Sequence, residues 1–243
     1  MKRGRSRDNE EVHWISLSDM MSSLMLIFLV ISVAYLVKLQ IYVQKVDDLK
    51  NVITSSRIGI HDQLKDLFGA NVQKWGAELS PDLTLRFVNP DTLFESGSAE
   101  LTESYKRSLR AFFPQYLRIM MQKSHQDQIK EIRIEGHTSS FWSSTVNADQ
   151  AYFLNMELSQ RRTRETLAFL LNNTNLNEDE KRWLKKHFRA IGFSSADTLN
   201  ATGGPTTSEK DEDVKKSQRV EFRVITNSED LLFQELEKGT RGF

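Results

Sequence analysis

No cysteine occurs anywhere in the 243 residues, which excludes disulfides and thiolate chemistry. That absence suits an oxidising compartment without requiring one. An excess of one charge sign is absent too. Thirty-three basic side chains meet 33 acidic ones, so composition gives no footprint for nucleic acid. Three catalytic signatures are also missing: a nucleophile–His–acid triad, a phosphate-binding P-loop and a paired-carboxylate motif. An envelope enzyme is disfavoured on that ground, and no cofactor is expected. Long apolar runs are lacking as well, with one exception near the start.

That exception, Ile15 to Val37, reads ISLSDMMSSLMLIFLVISVAYLV. Its length crosses a hydrocarbon core of ~30 Å as a helix, the conformation in which an isolated span satisfies its own backbone. Asp19 is set into its first turns. An ionised carboxylate within lipid costs ~2.5–3.5 kcal/mol or more, so such acids are paired, protonated or turned to a wet pathway. Two readings stand: Asp19 lies shallow enough to reach headgroup water, or it takes up and releases protons against a partner. One helix cannot enclose a pore, so the second reading demands partner subunits. Lys2, Arg3, Arg5 and Arg7 precede the span, while only Lys38 and Lys45 follow it closely. The basic excess predicts a cytoplasmic N-terminus and a C-terminal part on the far side. Trp14 and Tyr35 or Tyr42 suit the two interfaces. The run is longer than a signal-peptide core and ends in no small-x-small site, which favours a retained anchor over a cleaved leader.

The segments expected are therefore a cytoplasmic 1–14, a transmembrane helix 15–37, a helical stalk or loose linker 38–76, a compact domain 77–227 and a tail 228–243. Along the stalk Ile41, Val46, Leu49, Val52 and Ile53 form one apolar stripe. Ile60, Leu64, Leu67 and Phe68 form a second, with Gly59 interrupting the two. Such stripes suit pairing with a second copy.

In the compact domain Leu83, Leu85 and Phe87 alternate with polar residues, a strand ending at Asn89-Pro90. Thr102 is placed to cap a helix whose Tyr105, Leu109, Phe112, Phe113, Tyr116, Leu117 and Met120 recur at three and four residues. Ile129–Glu135 reads as a strand, Leu158–Asn172 and Glu178–His187 as helices, and Phe188–Phe193 as a strand. Gly203 to Asp213 is a polar loop. Arg219–Ile225 is a strand with Val220, Phe222 and Val224 inward, and Asp230–Lys238 a last short helix. The order predicts an α/β sandwich, a mixed sheet with helices on one face.

Two stretches carry polar residues that packing does not require. Gly136-His137-Thr138-Ser139-Ser140 leaves a strand end, and Asn155-Met-Glu-Leu158-Ser159-Gln-Arg-Arg162 is expected at the start of a helix. Free N–H groups there, with Arg162 one turn inside, suit an anionic small group. Against this, Asn155 could be a helix cap, Arg162 a solvated charge and His137 a hydrogen-bonded structural histidine. No second His or acid stands at metal spacing, so no metal is expected.

Taken together, Phe94-x-x-Gly97-Ser-Ala-x-Leu101, Gly136-His137-Thr138, Asn155-x-x-Leu158-Ser159-x-x-Arg162 and Arg219-Val220-Glu221-Phe222 resemble the OmpA-like peptidoglycan-binding domain. The resemblance covers roughly residues 80–227 and implies a βαβαβ fold that grips the diaminopimelate-containing stem peptide of the cell wall. Carried over by position, Thr138, Asn155, Leu158 and Arg162 are the implied wall-binding residues. Three departures stand out. Ser139 occupies the place of the family's ligand-binding Asp, an insertion runs from about Phe141 to Tyr152, and Ser217-Gln218-Arg219 stands where Asn-Arg-Arg is common. Upstream, Ser18-Asp19-Met20-Met21 and the Met- and Phe-rich run after it resemble the transmembrane helix of stator B subunits, with Asp19 at the ion-carrying acid. Loop, insertion and short N-terminus are closer to the B subunits of Zorya anti-phage systems than to flagellar ones. The resemblance implies a self-dimer inside a ring of five larger multi-span subunits in the inner membrane; the carried ion is expected to be a proton, with sodium left open. A flagellar-type stator and a purely structural membrane-to-wall tether are the alternatives.

Overall fold

The computed structural model describes residues 5–72, 75–88, 90–95 and 97–228, together with 230, 231, 233, 234 and 237. Two compact units divide the chain, Met1–Val52 with Leu232–Phe243, and Ile53–Leu231. Of the expected basic N-terminus, Lys2 and Arg3 lie outside the described residues, as do Asn89, Ser96 and much of the tail.

Helix α1 (Arg5–Val72) takes in the apolar run and the stalk without a break, Gly59 included. In the first unit the apolar run keeps its side chains outward, among them Met20, Met21, Leu24, Met25, Phe28 and Ile31. Among the described residues it lies on the one helix long and apolar enough, by length and composition, to cross a membrane. Asp19 is exposed on it. Ser22 turns its hydroxyl inward to donate to the Ser18 carbonyl at 2.8 Å, which keeps that polar group satisfied within the helix.

The end of α1 belongs to the second unit. Ile60, Leu64 and Phe68 are buried in the domain's own core, with Phe68 edge-on to Phe112 at 6.0 Å and to Trp75 at 5.4 Å. Three of the four residues of the second stripe thus pack within the chain, while Leu67 stays exposed. The compact unit starts at Ile53, before the expected boundary at 77, because this stripe completes its core.

The sheet has five strands, β1 (Ala77–Leu79), β2 (Thr84–Phe87), β3 (Ile129–His137), β4 (Phe188–Gly192) and β5 (Arg219–Thr226). Their order is β1-β2-β5-β3-β4, with β3 and β4 parallel and the other pairs antiparallel. Between them run α2 (Pro90–Leu93), α3 (Glu103–Met120), α4 (Lys123–Gln126), α5 (Ala148–Asn173), α6 (Glu178–His187) and α7 (Val214–Ser217). This is the expected mixed-sheet α/β domain. Helix α3 begins where Thr102 accepts from the Tyr105 N–H at 3.1 Å, and all seven of the residues expected on its apolar face are buried. Phe112 meets Phe87, Tyr116 and Phe222 at 5.4–5.7 Å, so a single aromatic side chain joins helix to two strands. The strand expected from Leu83 starts at Thr84. Leu83 is buried, yet it turns at φ 65°, a conformation costly to a branched side chain and outside the ladder.

Period-two alternation then fixes what the other sheet face carries. With Val220, Phe222 and Val224 inward, Arg219, Glu221 and Arg223 point the other way. Register sets Arg86 and Glu135 opposite Glu221 on the neighbouring strands.

Candidate functional site

The site forms where β3 and β4 end against the middle of α5. The expectation that Asn155 opens a helix is overturned. Helix α5 starts ten residues upstream of the expected Leu158, with Asn147 as its cap. Asn147 accepts from the Gln150 N–H at 2.9 Å, and Gln150 reaches back to the Asn147 N–H at 3.4 Å. Asn155 therefore lies about two turns inside and Arg162 about four. Neither has the free N–H groups of a helix terminus beside it, and Asn155 is not a cap. The second half of the insertion supplies those extra turns, with Phe153 exposed on them.

The helix comes close because two residues lack a Cβ. A methyl group at Gly136 would sit 2.8 Å from the Ser159 carbonyl oxygen, and one at Gly192 would sit 2.5 Å from the Gln160 nitrogen. Ser194 ties the junction together. Its carbonyl accepts from the Thr138 N–H at 2.9 Å, its N–H donates to Ser159 Oγ at 3.1 Å and its hydroxyl donates to the Tyr152 carbonyl at 2.7 Å. Thr138, Asn155, Leu158 and Arg162, the residues implied by the resemblance, are all buried around this junction. Two of their polar atoms, Thr138 Oγ1 and Asn155 Nδ2, have no hydrogen-bond partner among the described residues. Buried groups of that kind cost about 1–3 kcal/mol each until something pairs them.

Arg162 is only 8% exposed. Its Nε donates to the Ser98 carbonyl at 2.9 Å, and the guanidinium lies 4.8 Å above the Phe94 ring. Gly97 makes that possible by turning the loop at φ 65°, which brings the Ser98 carbonyl round. No acid faces the guanidinium within ion-pair distance among the described residues, and burial lowers its pKa to about 10. One of five N–H donors is spent, so both terminal nitrogens are left for a ligand oxygen pair. Leu93, Gly136, His137, Gln218, Arg219 and Val220 share the small cavity beside it. Ser139 joins this wall by accepting from Gln218 Nε2 at 3.1 Å.

Behind the cavity lies a group that the sequence reading missed. Glu135, His137 and Glu221 bring their ligand atoms within 4.8 Å of one another, all buried. Arginines already engage both carboxylates. Glu221 accepts from Arg86 Nε (2.8 Å), Arg219 Nε (2.7 Å) and Arg223 (2.8 Å), and Glu135 accepts from Arg223 Nε (3.0 Å). Burial alone would raise the Glu221 pKa, but Arg219 outweighs it, with help from His137 and Arg86, and lowers it to about 2. Three guanidinium groups around two carboxylates make an ion-pair array and fit a metal ion poorly. His137 stacks on Phe193 at 5.1 Å, but it is not the hydrogen-bonded histidine expected, since neither ring nitrogen has a hydrogen-bond partner among the described residues. The signal available was the alternation itself: Arg219-x-Glu221-x-Arg223 puts three charges on one strand face.

The OmpA family model matches residues 93–212, which takes in the Phe94 loop, β3 and α5. A Zorya protein ZorB from Escherichia coli strain Crooks is 40% identical over 92% of each chain. The chain belongs to the ZorB family. A further ZorB, from a second Escherichia coli strain, is 25% identical over 92% of this chain and 84% of its own length. Among solved structures, the cell wall anchor of the T6SS from Pseudomonas aeruginosa aligns at 17% identity, covering 67% of this chain and 96% of its own, with a TM-score of 0.43. The periplasmic domain of Helicobacter pylori MotB aligns at 16% identity over 64% of this chain and 84% of its own, with a TM-score of 0.40. For a member of the ZorB family, the apolar helix with Asp19 and the OmpA-type domain with Arg162 are thus parts of one chain.

Proposed function

We propose that this chain is the peptidoglycan-anchored B subunit of a proton-driven rotary motor complex of the bacterial inner membrane, serving anti-phage defence. The observation that carries the anchor is Arg162. A buried guanidinium that, among the described residues, has no acid within ion-pair distance and two unspent terminal nitrogens suits a carboxylate from outside. Thr138 and Asn155 offer the remaining polar contacts and Leu158 the apolar one. The stem peptide of the cell wall supplies carboxylates of this kind, which matches the membership in the ZorB family and the OmpA family match.

The motor half rests on Asp19 within the apolar run. In this reading the basic N-terminus stays cytoplasmic and the domain is periplasmic. Asp19 accepts a proton from the outer side, passes a surrounding ring of five multi-span subunits while neutral, and releases the proton inward. Each charge crossing ~100 mV delivers about 2.3 kcal/mol, so large motions consume several. Two copies of the chain are needed to share that ring, and no cofactor takes part.

The test has two arms. Asp19→Asn keeps the shape of the protonated acid and cannot cycle, so it abolishes phage protection while leaving membrane insertion intact. Full protection by that variant leaves only a tether. In the second arm the full-length chain in detergent co-sediments with purified sacculi, and Arg162→Ala stays in the supernatant.

A further inference from the structure

Arg162, Thr138 and Asn155 suit a peptide carboxylate, and they leave the segment beside them without a role. Four aromatic side chains stand on that segment in two pairs, Phe141-Trp142 after the β3 loop and Tyr152-Phe153 in the first turns of α5. Phe141 is 64% exposed and Phe153 71%, so neither ring serves the core. We infer that these rings are a platform for the sugar strand of the cell wall, a neutral chain of N-acetylated hexoses, next to the site for its peptide. This rests on the wall-binding reading above.

Both pairs are tied to the site by hydrogen bonds. The Ser139 hydroxyl donates to the Phe141 carbonyl at 3.4 Å and accepts from Gln218, which lines the cavity of Arg162. The Ser194 hydroxyl donates to the Tyr152 carbonyl at 2.7 Å, while the Ser194 carbonyl accepts from the Thr138 N–H. The rings of Tyr152 and Phe153 meet edge-on at 5.8 Å. Residues three and four apart share a helix face, so Tyr152, Asn155, Ser159 and Arg162 form one row along α5. At 1.5 Å per residue Tyr152 lies about 15 Å along the axis from Arg162. In a stem peptide two residues separate diaminopimelate from the sugar, a reach of about 7–11 Å before side chains are counted. A strand whose peptide is held at Arg162 therefore passes within reach of these rings.

The chemistry of the segment selects the occupant. One face of a hexose ring is a patch of C–H groups that packs on an aromatic ring, while its rim presents hydroxyls. Hydroxyls also surround the aromatic pairs here, on Ser143, Ser144 and Thr145. No charged residue stands from Thr138 to Ala148, which matches an uncharged polymer. A lipid surface attracts Lys and Arg, and neither occurs between Thr138 and Gln160. Protein interfaces centre on aromatics together with Arg, which the segment equally lacks.

The experiment uses the full-length chain in detergent with three probes: purified sacculi, released diaminopimelate stem peptides, and chitin beads. Chitin carries the N-acetylated hexose backbone with no peptide and no carboxylate. Wild type is expected to be retained on the beads, to elute with chitin hexasaccharide, and to be retained equally as Arg162→Ala. The double variant Phe141→Ser with Phe153→Ser changes only exposed rings. It is expected to pass through the beads and to bind sacculi about 5- to 150-fold more weakly, the range for two aromatic contacts. Its melting temperature and its inhibition by free stem peptide should stay as in wild type. The inference is overturned if wild type is not retained on chitin, a result that needs no variant to fold. It is also overturned if the double variant loses affinity for the free stem peptide, since the segment then only shapes the peptide site. A double variant that turns from dimer to monomer in sedimentation velocity while still binding chitin gives the rings to a second copy and overturns it as well. A wild-type chain that fails to bind sacculi removes the wall-binding reading, and the inference with it. Loss of sacculus binding in Arg162→Ala beside an indifferent double variant removes the inference alone.

Discussion

Arg162 and Arg219 line the same small cavity, and their circumstances are opposite. Arg219 donates through Nε to Glu221 at 2.7 Å and through a terminal nitrogen to the Asp197 and Ser217 carbonyls at 2.9 and 3.0 Å. Arg162 has one carbonyl and one ring face. Burial lowers the pKa of both, but only for Arg219 does a carboxylate push back. A buried charge that is fully paired belongs to the fold, because removing its partner leaves an uncompensated ion. A buried charge left unpaired is a standing cost to the free protein that a ligand can relieve. The same residue type thus marks the domain's structural cluster and its binding site, and what separates them is the acid present or missing beside each.

The sharpest way to break this contrast is to unpair the structural array. Glu221→Ala strands Arg219 with Arg86 and Arg223 around an empty position, and the domain is expected to lose about 3–5 kcal/mol in urea unfolding. Because the folded-state pKa of Glu221 is lowered to about 2 from 4.5, its contribution is fully present above about pH 4.5 and is lost as pH falls toward 2. The variant should therefore show a flatter fall in stability across that window. An unchanged acid limb in Glu221→Ala would mean that the array contributes nothing to the fold.

Arg162→Ala should do the reverse. Wall binding falls about 10- to 150-fold while unfolding stability changes far less than in Glu221→Ala, since the lost carbonyl bond is offset by removal of an uncompensated charge. Arg162→Lys keeps the charge without the fork and should recover only part of the binding. Equal stability losses in Arg162→Ala and Glu221→Ala would erase the distinction between site and scaffold.

How much of this was legible in the sequence differs element by element. Helix α3 could be read because its apolar face recurs at three and four residues behind a capping residue, Thr102. The mixed sheet followed from the alternation in β3 and β5. The start of α5 was hidden because its first turns, Ala148 to Leu154, leave Tyr152 and Phe153 exposed and so lack an apolar stripe. The signal that marks it is the capping box Asn147-x-x-Gln150, which lies in the insertion where the resemblance has no counterpart. The second stalk stripe was visible, but its partner was not, since sequence periodicity says that a face is buried and not against what. Asn155 and Arg162 could be named from the motif alone. The pairing that separates Arg162 from Arg219 depends on strand register and on contacts between segments far apart in sequence. No local pattern carries those.

The smallest expected effects come from the two asparagines, and they sharpen the comparison at the level of single hydrogen bonds. Asn147 is spent: its side chain holds the Gln150 N–H at 2.9 Å. Asn147→Ala should cost about 0.5–2 kcal/mol of stability, seen as a lower midpoint in thermal melts, with wall affinity unchanged once the domain is folded. Asn155 is buried two turns in, with Nδ2 unpaired, so the free protein gains little from it. Asn155→Ala removes an unsatisfied donor along with a contact offered to the ligand. Its unfolding free energy should stay within about 0.5 kcal/mol of wild type, while sacculus binding falls by the worth of a neutral hydrogen bond, ~0.5–1.5 kcal/mol, or roughly 2- to 12-fold. If Asn155→Ala melts early and binds normally, then Asn155 belongs with Arg219 as part of the scaffold, and the site narrows to the loop after β3 and Arg162.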